Sequence, residues 1–199
     1  MANLKEVTIV GDRDEGNHLR DILIKYYESI HDNDLTTILL EPKRDAVDKW
    51  TSGWGRLLID PVSKRVLEGG KDKARAYQIG TVTLEEANKN YLEDIQWRVD
   101  FVNELNDKFG LNLNTFYKAA LVSLIYNTGT ECLGSNKTIG KKLRAKDLRG
   151  AANNFLLYKF GNGVMQPGLL ARRYSERDLA LTGKLNIYEI NKAGDIVRV

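Results

Sequence analysis

Glu28 lies near the end of the run HLRDILIKYYESI, and Asp45 opens the run DAVDKWTSGWG. Thr51 follows Asp45, and Gly53 and Gly55 follow Thr51. Two carboxylates, a hydroxyl and a pair of glycines are parts suited to hydrolysing a glycosidic bond. One carboxyl group protonates the leaving oxygen, and the other attacks the sugar or activates a water. The acid must keep its proton near neutral pH, which calls for an apolar wall around it. Glu28, beside an apolar helical stripe, suits that part; Asp45, on a polar turn, suits the ionised partner. Thr51 can hold a water by its hydroxyl. Gly53 and Gly55 let the ribbon turn tightly and let a ligand approach the backbone. Taken singly, each residue has a plainer reading: a helix-end glutamate is solvated, and an aspartate before a turn caps it.

Other chemistries find less support. His18 and His31 are the only histidines, no H-E-x-x-H is present, and no zinc-ligand spacing occurs. The run DRDEG lacks the glycine position and closing glutamate of a calcium loop. In GTECLGSNKT the lysine does not follow the second glycine, as a phosphate loop requires. No G-x-S-x-G elbow is present. Cys132 is the single cysteine, so no internal disulfide can form, and a small buried residue is the expected role. Neither a cofactor nor a metal is expected.

The elements that must position the carboxylates are legible from periodicity. Leu19, Ile22, Leu23, Tyr26, Tyr27 and Ile30 follow helical spacing and place Glu28 beside their stripe. LTTILLEP and KWTSGWGRLLIDPVSKRVLEGG then switch to β-branched and aromatic residues punctuated by Gly and Pro, which predicts two or three short antiparallel strands. TVTLEEANKNYLEDIQWRVDFVNELNDKFG predicts a long helix opened by a Thr83–Glu86 capping box and stopped at Gly110. TFYKAALVSLIYNTG is apolar on nearly every side and predicts a central buried helix ending at Gly129. Shorter helices are expected in KTIGKKLRA and AKDLRGAANNFLLYKF, a punctuated helix in PGLLARRYSERDLALTG, and a β-hairpin around NKAG. The fold class is therefore α+β, with a cleft between lobes as the expected ligand site.

The chain has 199 residues and a net charge of +3, unevenly spread. Residues 137–199 hold 13 basic and 5 acidic side chains, net +8, whereas the preceding part nets −5. Charge alone fits a solvated surface, a nucleic acid or an acidic wall polymer. No apolar run is long enough to span a membrane, and MANLKEVTIVGDRDEG lacks a basic region followed by an apolar core, so no signal peptide is expected.

Five motifs in order carry a resemblance. IKYYES resembles a helix ending in a catalytic glutamate. DAVDKWTSGWG resembles a D-x-x-G-x-x-T-x-G-x-G ribbon, with Asp45, Thr51, Gly53 and Gly55 at matching spacing. TVTLEEANKNYLEDI resembles the start of an inter-lobe helix, ALVSLIYNTG an A-L-x-S-x-x-F-N-x-G central helix, and MQPGLLARRYSERDLAL a P-G-L-x-x-R-R-x-x-E-x-x-L closing helix. Together, from about residue 20 to residue 183, the chain resembles the phage-type lysozymes, the endolysins and muramidases of glycoside hydrolase family 24.

The resemblance implies a lysozyme-like fold: a small N-terminal lobe with an antiparallel β-hairpin sheet at about 14–82, a connecting helix at about 83–108 and a helical lobe at about 110–183. Residues 1–183 would form one domain, and 184–199 a hairpin extension without family counterpart. It implies cleavage of the β-1,4 bond between N-acetylmuramic acid and N-acetylglucosamine in peptidoglycan, with inversion. Glu28 would be the general acid, Asp45 the second carboxylate and Thr51 the water-positioning residue. Gly53, Tyr126 and Asn127 would line the substrate cleft, and Arg172, with Arg173 as the weaker match, would pair with the glutamate. Peptidoglycan strands are the expected partner, with no nucleic acid, no membrane insertion and a monomeric state. The enzyme would reach the wall from the host cytoplasm through a holin-type route, or act as part of a virion.

The chain also departs from the pattern. Sixteen residues separate Glu28 from Asp45, more than in the family, so HDNDLTTI reads as an insertion and Asp48 and Glu41 compete with Asp45. Asp48 stands at a ribbon glycine position and Arg56 at a histidine position. The segment before residue 14 reads as a strand that could pair with the tail. A lytic transglycosylase or related glycan hydrolase, and a wall-binding module with a degenerate site, are the competing readings.

Overall fold

A computed structural model describes residues 12–28, 39–45 and 47–199. The inserted HDNDLTTI, with His31, lies outside them, as do residues 1–11 of the segment before residue 14 expected as a strand; residues 12 and 13 belong instead to the first helix.

The first helix, α1 (Asp12–Glu28), begins earlier than its apolar stripe alone predicts. Glu15 falls near its start, where a carboxylate favours a helix. Leu23 and Ile24 are fully buried. Gly16 lies so close to Thr115 that a β-carbon would meet its Oγ1 at 2.0 Å, and this lets α1 lie against the helix that Thr115 opens.

Strands β1 (Leu39–Arg44), β2 (Trp50–Gly53) and β3 (Arg56–Leu57) form an antiparallel sheet in that order. Thr51 pairs with Lys43 and Trp50 with Arg44, with an irregularity between Leu39 and Lys43. Beyond β3 the expected strands shrink to bridges at Ile59–Val66 and Lys49–Glu68. Asp60 explains the break: its carboxylate accepts the backbone N–H groups of Val62 and Ser63, folding Pro61–Lys64 into a turn. A short helix, α2 (Lys73–Gly80), follows. Trp50, Leu58, Leu67 and Ala76 make this lobe's own small core.

Helix α3 (Leu84–Phe109) has 26 residues, so it runs about 39 Å. The Thr83–Glu86 capping box is formed in both directions, and Gly110 ends the helix in the left-handed region at φ 53°. Helix α4 (Thr115–Thr128) is buried continuously from Ala119 to Ile125 and ends at Gly129. Around it lie α5 (Thr138–Arg144), α6 (Leu148–Asn153) with a 3-10 turn after it, a two-residue hairpin of β4 (Phe160–Gly161) and β5 (Val164–Met165), and α7 (Pro167–Thr182). One main core joins α1, α3, α4 and α7.

The closing hairpin, β6 (Tyr188–Ile190) and β7 (Ile196–Arg198), packs against α7. It also grips α1 from behind. The Tyr27 hydroxyl donates to the Tyr188 carbonyl at 2.8 Å and shares a 2.7 Å bond with Ser175 Oγ. The Tyr188 N–H reaches the same Ser175 oxygen at 3.2 Å, and the Tyr188 hydroxyl donates to Asp178 at 2.6 Å.

Candidate active site

Glu28 is the last residue of α1, with 19% of its side chain exposed. Its Oε1 accepts from Arg172 Nη1 at 2.6 Å, and the arginine is almost fully buried. Its Oε2 faces the ribbon, where a β-carbon on Gly55 would sit 2.3 Å away. Gly55 also has φ +82°, a conformation that side-chain-bearing residues adopt at a cost of roughly 1–2 kcal/mol. Gly55→Ala is therefore expected to push Glu28 aside. Because about an ångström of misplacement costs on the order of a hundredfold in rate, any reaction that uses Glu28 should slow by about that factor while melting falls only a few degrees. An activity assay and thermal unfolding of the variant check this together.

The glycine end of the ribbon is held from several sides. Gly53 sits on Ala87 of α3, 3.1 Å from where its own β-carbon would be. Trp54 Nε1 donates to Asn88 at 2.9 Å, and the Trp54 carbonyl accepts from the Tyr126 hydroxyl at 2.6 Å. Burial, and then the charges of Glu28 and Asp94, push the Tyr126 hydroxyl far above the ordinary tyrosine range, so it stays a donor. Asn127, next on α4, is exposed. Arg56 ties the ribbon to α3 through Glu93 at 3.4 Å and Asp94 at 3.7 Å.

Asp45 and Thr51 occupy the other end of the ribbon. Asp45 Oδ1 accepts the backbone N–H groups of Val47 and Lys49, both at 2.9 Å, and caps the β1–β2 turn. Its carboxylate is exposed, and its second oxygen has no bond among the described residues. The Thr51 hydroxyl reaches the Lys43 carbonyl at 3.4 Å. No hydrogen bond or ion pair joins either residue to Glu28. Asp48 has φ 67°, which is why a residue tolerant of left-handed backbone can stand at the ribbon glycine position. Its carboxylate is taken by Arg44 at 2.6 Å. Glu41 is exposed.

Behind Glu28 lies a buried charge cluster. Glu176, fully buried, accepts from Ser123 Oγ at 2.7 Å, Arg172 Nε at 3.1 Å and Arg173 Nη2 at 2.9 Å. Arg172 thus divides its charge between Glu28 and Glu176. Burial pulls its pKa down, but the two carboxylates outweigh burial and hold it above the ordinary arginine value. Arg173 is held below that value, by burial first and by the neighbouring Arg172 cation. The sequence reading passed over Glu176 as part of a motif, although Arg172, Arg173 and Glu176 stand at i, i+1 and i+4, the spacing that brings side chains together on one helix face. It also passed over Arg98, half-buried between the rings of Trp97 and Tyr126 at 4.2 and 4.6 Å from their centroids.

Among the described residues no group of three His, Cys, Asp or Glu side chains could hold a metal ion, and no helix is long and apolar enough to cross a membrane. Cys132 is buried and makes only weak contacts with Thr128 and the Gly129 carbonyl.

Comparison with known proteins agrees with this architecture. The endolysin of Bacillus phage B103 is 38% identical over 103 residues, which cover 52% of this chain and 38% of that one. The SAR-endolysin of Bacteriophage PS119 is 27% identical over 86 residues, covering 43% of this chain and 51% of that one. The chain thus spans about half or less of the length of these curated relatives. The solved endolysin from Escherichia coli O157:H7 phage FAHEc1 superposes with a TM-score of 0.60 over 89% of this chain and 97% of its own, at 23% identity, which bears on fold alone. The phage lysozyme family model matches residues 34–176; that stretch begins after Glu28 and takes in the ribbon, the long helix, the central helix and the Arg172–Glu176 cluster. The α+β lysozyme-like fold and this match together identify the chain as a member of the phage lysozyme family.

Proposed function

We propose that this protein is a peptidoglycan-hydrolysing lysozyme serving lysis of a phage host, and that it is a muramidase. The bond cut is the β-1,4 link between N-acetylmuramic acid and N-acetylglucosamine. Glu28 is the general acid. The observation that carries this reading is the division of its two oxygens: Oε1 is engaged by Arg172, while Oε2 faces the ribbon at Gly55. A proton on Oε2 is then on the side where a sugar strand would lie. The free oxygen of Asp45 activates a water and Thr51 steers it. On this reading the mechanism is inverting, with a water held between the two carboxyl groups. The net +8 of residues 137–199 suits an anionic wall. The protein acts as a monomer and reaches the wall by a holin-type route or within a virion.

One observation favours a second reading. Asp45 Oδ1 already serves two backbone N–H groups, so the residue could be purely a turn cap. A lytic transglycosylase needs no second carboxylate and leaves anhydro-muramic ends. Digestion of defined peptidoglycan with mass analysis of the products separates the two. Ordinary reducing ends are expected, and anhydro ends would replace the muramidase reading. In the same assay Asp45→Asn should lose about a hundredfold or more, as removal of a catalytic base does, and Asp48→Asn far less. The reverse order would move the second carboxylate to Asp48.

A further inference from the structure

Ala87, Tyr91, Ile95, Val102 and Leu105 are the buried positions of α3. Between Ile95 and Val102 this stripe skips a turn, and the residue that helical spacing puts there is Arg98, half-buried. Its Nη1 donates to the Asp94 carbonyl. Among the described residues no carboxylate forms an ion pair with it, and no group accepts from its buried Nε. Stacking supplies the rest of its hold: the guanidinium carbon lies 4.6 Å from the Tyr126 ring centroid and 4.2 Å from that of Trp97. Trp97, the outer member of this stack, is 47% exposed, whereas Trp50 and Trp54 are each 5% exposed. One face of its ring rests on the guanidinium, and the other is open.

The stack starts beside Glu28. The Tyr126 hydroxyl donates to the Trp54 carbonyl, and Gly55, the next residue, faces Glu28 Oε2. The ribbon's ties to α3 fall at Ala87, Asn88, Glu93 and Asp94. Trp97 stands four residues past Glu93 and three past Asp94, so it is the next side chain on the face that Arg56 touches. It therefore lies about one helical turn, roughly 5.4 Å, past the ribbon's cover.

A lone exposed apolar side chain calls for no explanation, and Leu92, 62% exposed on the same helix, is one. Trp97 differs in having a cation on its inner face and in ending a stack that reaches the acid. A pyranose ring presents a face of C–H groups, and an aromatic face, which is negative, attracts them. A ring already fixed by stacking loses little freedom when a sugar settles on it.

We propose that the open face of Trp97 is a glycan-binding platform, on which one sugar ring of the wall strand rests while a neighbouring linkage lies at Glu28. Arg98 is the positioning residue that holds the platform flat. The proposal rests on wall glycan as the substrate of this cleft, but not on which carboxylates act.

The test measures binding without hydrolysis. Full-length Glu28→Gln protein is titrated calorimetrically with soluble glycan fragments of purified peptidoglycan. Adding Trp97→Ala should weaken binding about tenfold, as loss of one aromatic stacking contact would. Adding Trp97→Phe, which keeps an aromatic face, should restore binding to within about threefold. Adding Leu92→Ala, on another side of α3, should change it less than twofold. The Trp97→Ala loss should persist at 0.5 M salt, because stacking on an uncharged ring is not screened. A second reading comes from fluorescence: bound glycan should shift the emission to the blue and protect the exposed indole from acrylamide, and Trp97→Phe should abolish both changes. Equal binding by the Trp97→Ala and Leu92→Ala proteins, or glycan binding that leaves Trp97 as open to acrylamide as before, overturns the proposal. Wild-type protein that binds glycan through Trp97 yet releases no products would instead overturn the muramidase reading and leave the platform standing.

Discussion

Glu28→Gln leaves a folded protein that no longer clears peptidoglycan. The amide can still accept from Arg172 through its oxygen, so the side chain keeps its place against Gly55. It has no proton to give to a leaving sugar oxygen. General acid catalysis contributes roughly a hundred- to ten-thousand-fold, and reducing-end release should fall by at least about a thousandfold. Circular dichroism and a cooperative melt show that the fold is intact. Retained clearing at more than about a tenth of the wild-type rate would remove Glu28 from the role of acid.

The largest expected effect on stability lies one layer deeper. Glu176→Gln leaves Arg172 and Arg173, both buried, with Glu28 as the one carboxylate of the cluster. Removing one partner of a buried ionic cluster costs about 3–5 kcal/mol, because a desolvated charge loses its counterpart. Arg173 suffers most: its Nε lies 2.8 Å from Glu176 Oε2, and among the described residues no second carboxylate pairs with it. Denaturant unfolding should record that loss. The double variant Glu176→Gln/Arg173→Met should recover much of it, since the orphaned cation is gone too. A loss below about 1 kcal/mol would show that water or rearrangement satisfies the arginines.

Much of the fold was legible because its signals were local. The Thr83–Glu86 box, the left-handed stop at Gly110 and the apolar run of α4 are each written in a few adjacent residues. The short α2 was missed because KARAYQIG buries only Ala76 and Gly80 and shows no apolar stripe. The β4–β5 hairpin was missed because strands of two residues have no period to read. At the site, the ribbon spacing pointed to Asp45, Thr51, Gly53 and Gly55 together. What spacing could not convey is that Gly55 meets Glu28 while Asp45 caps the β1–β2 turn, since that depends on the register of β1 on β2 and on how α1 ends. The burial of Glu176 was hidden for the same reason: a charged residue reads as surface until its partners across the helix interface, Ser123 among them, are known.

The grip of the closing hairpin on α1 sets an order of events during synthesis. The Tyr27 hydroxyl, one residue from the acid, takes its acceptor from the backbone of a residue 161 positions later in the chain. Until the ribosome has added that stretch, the end of the first helix lacks this anchor. Because a main-chain carbonyl supplies it, substitution at position 188 alone cannot delete it. The nascent protein therefore completes this brace only once residue 188 has left the ribosome, long after the first helix has.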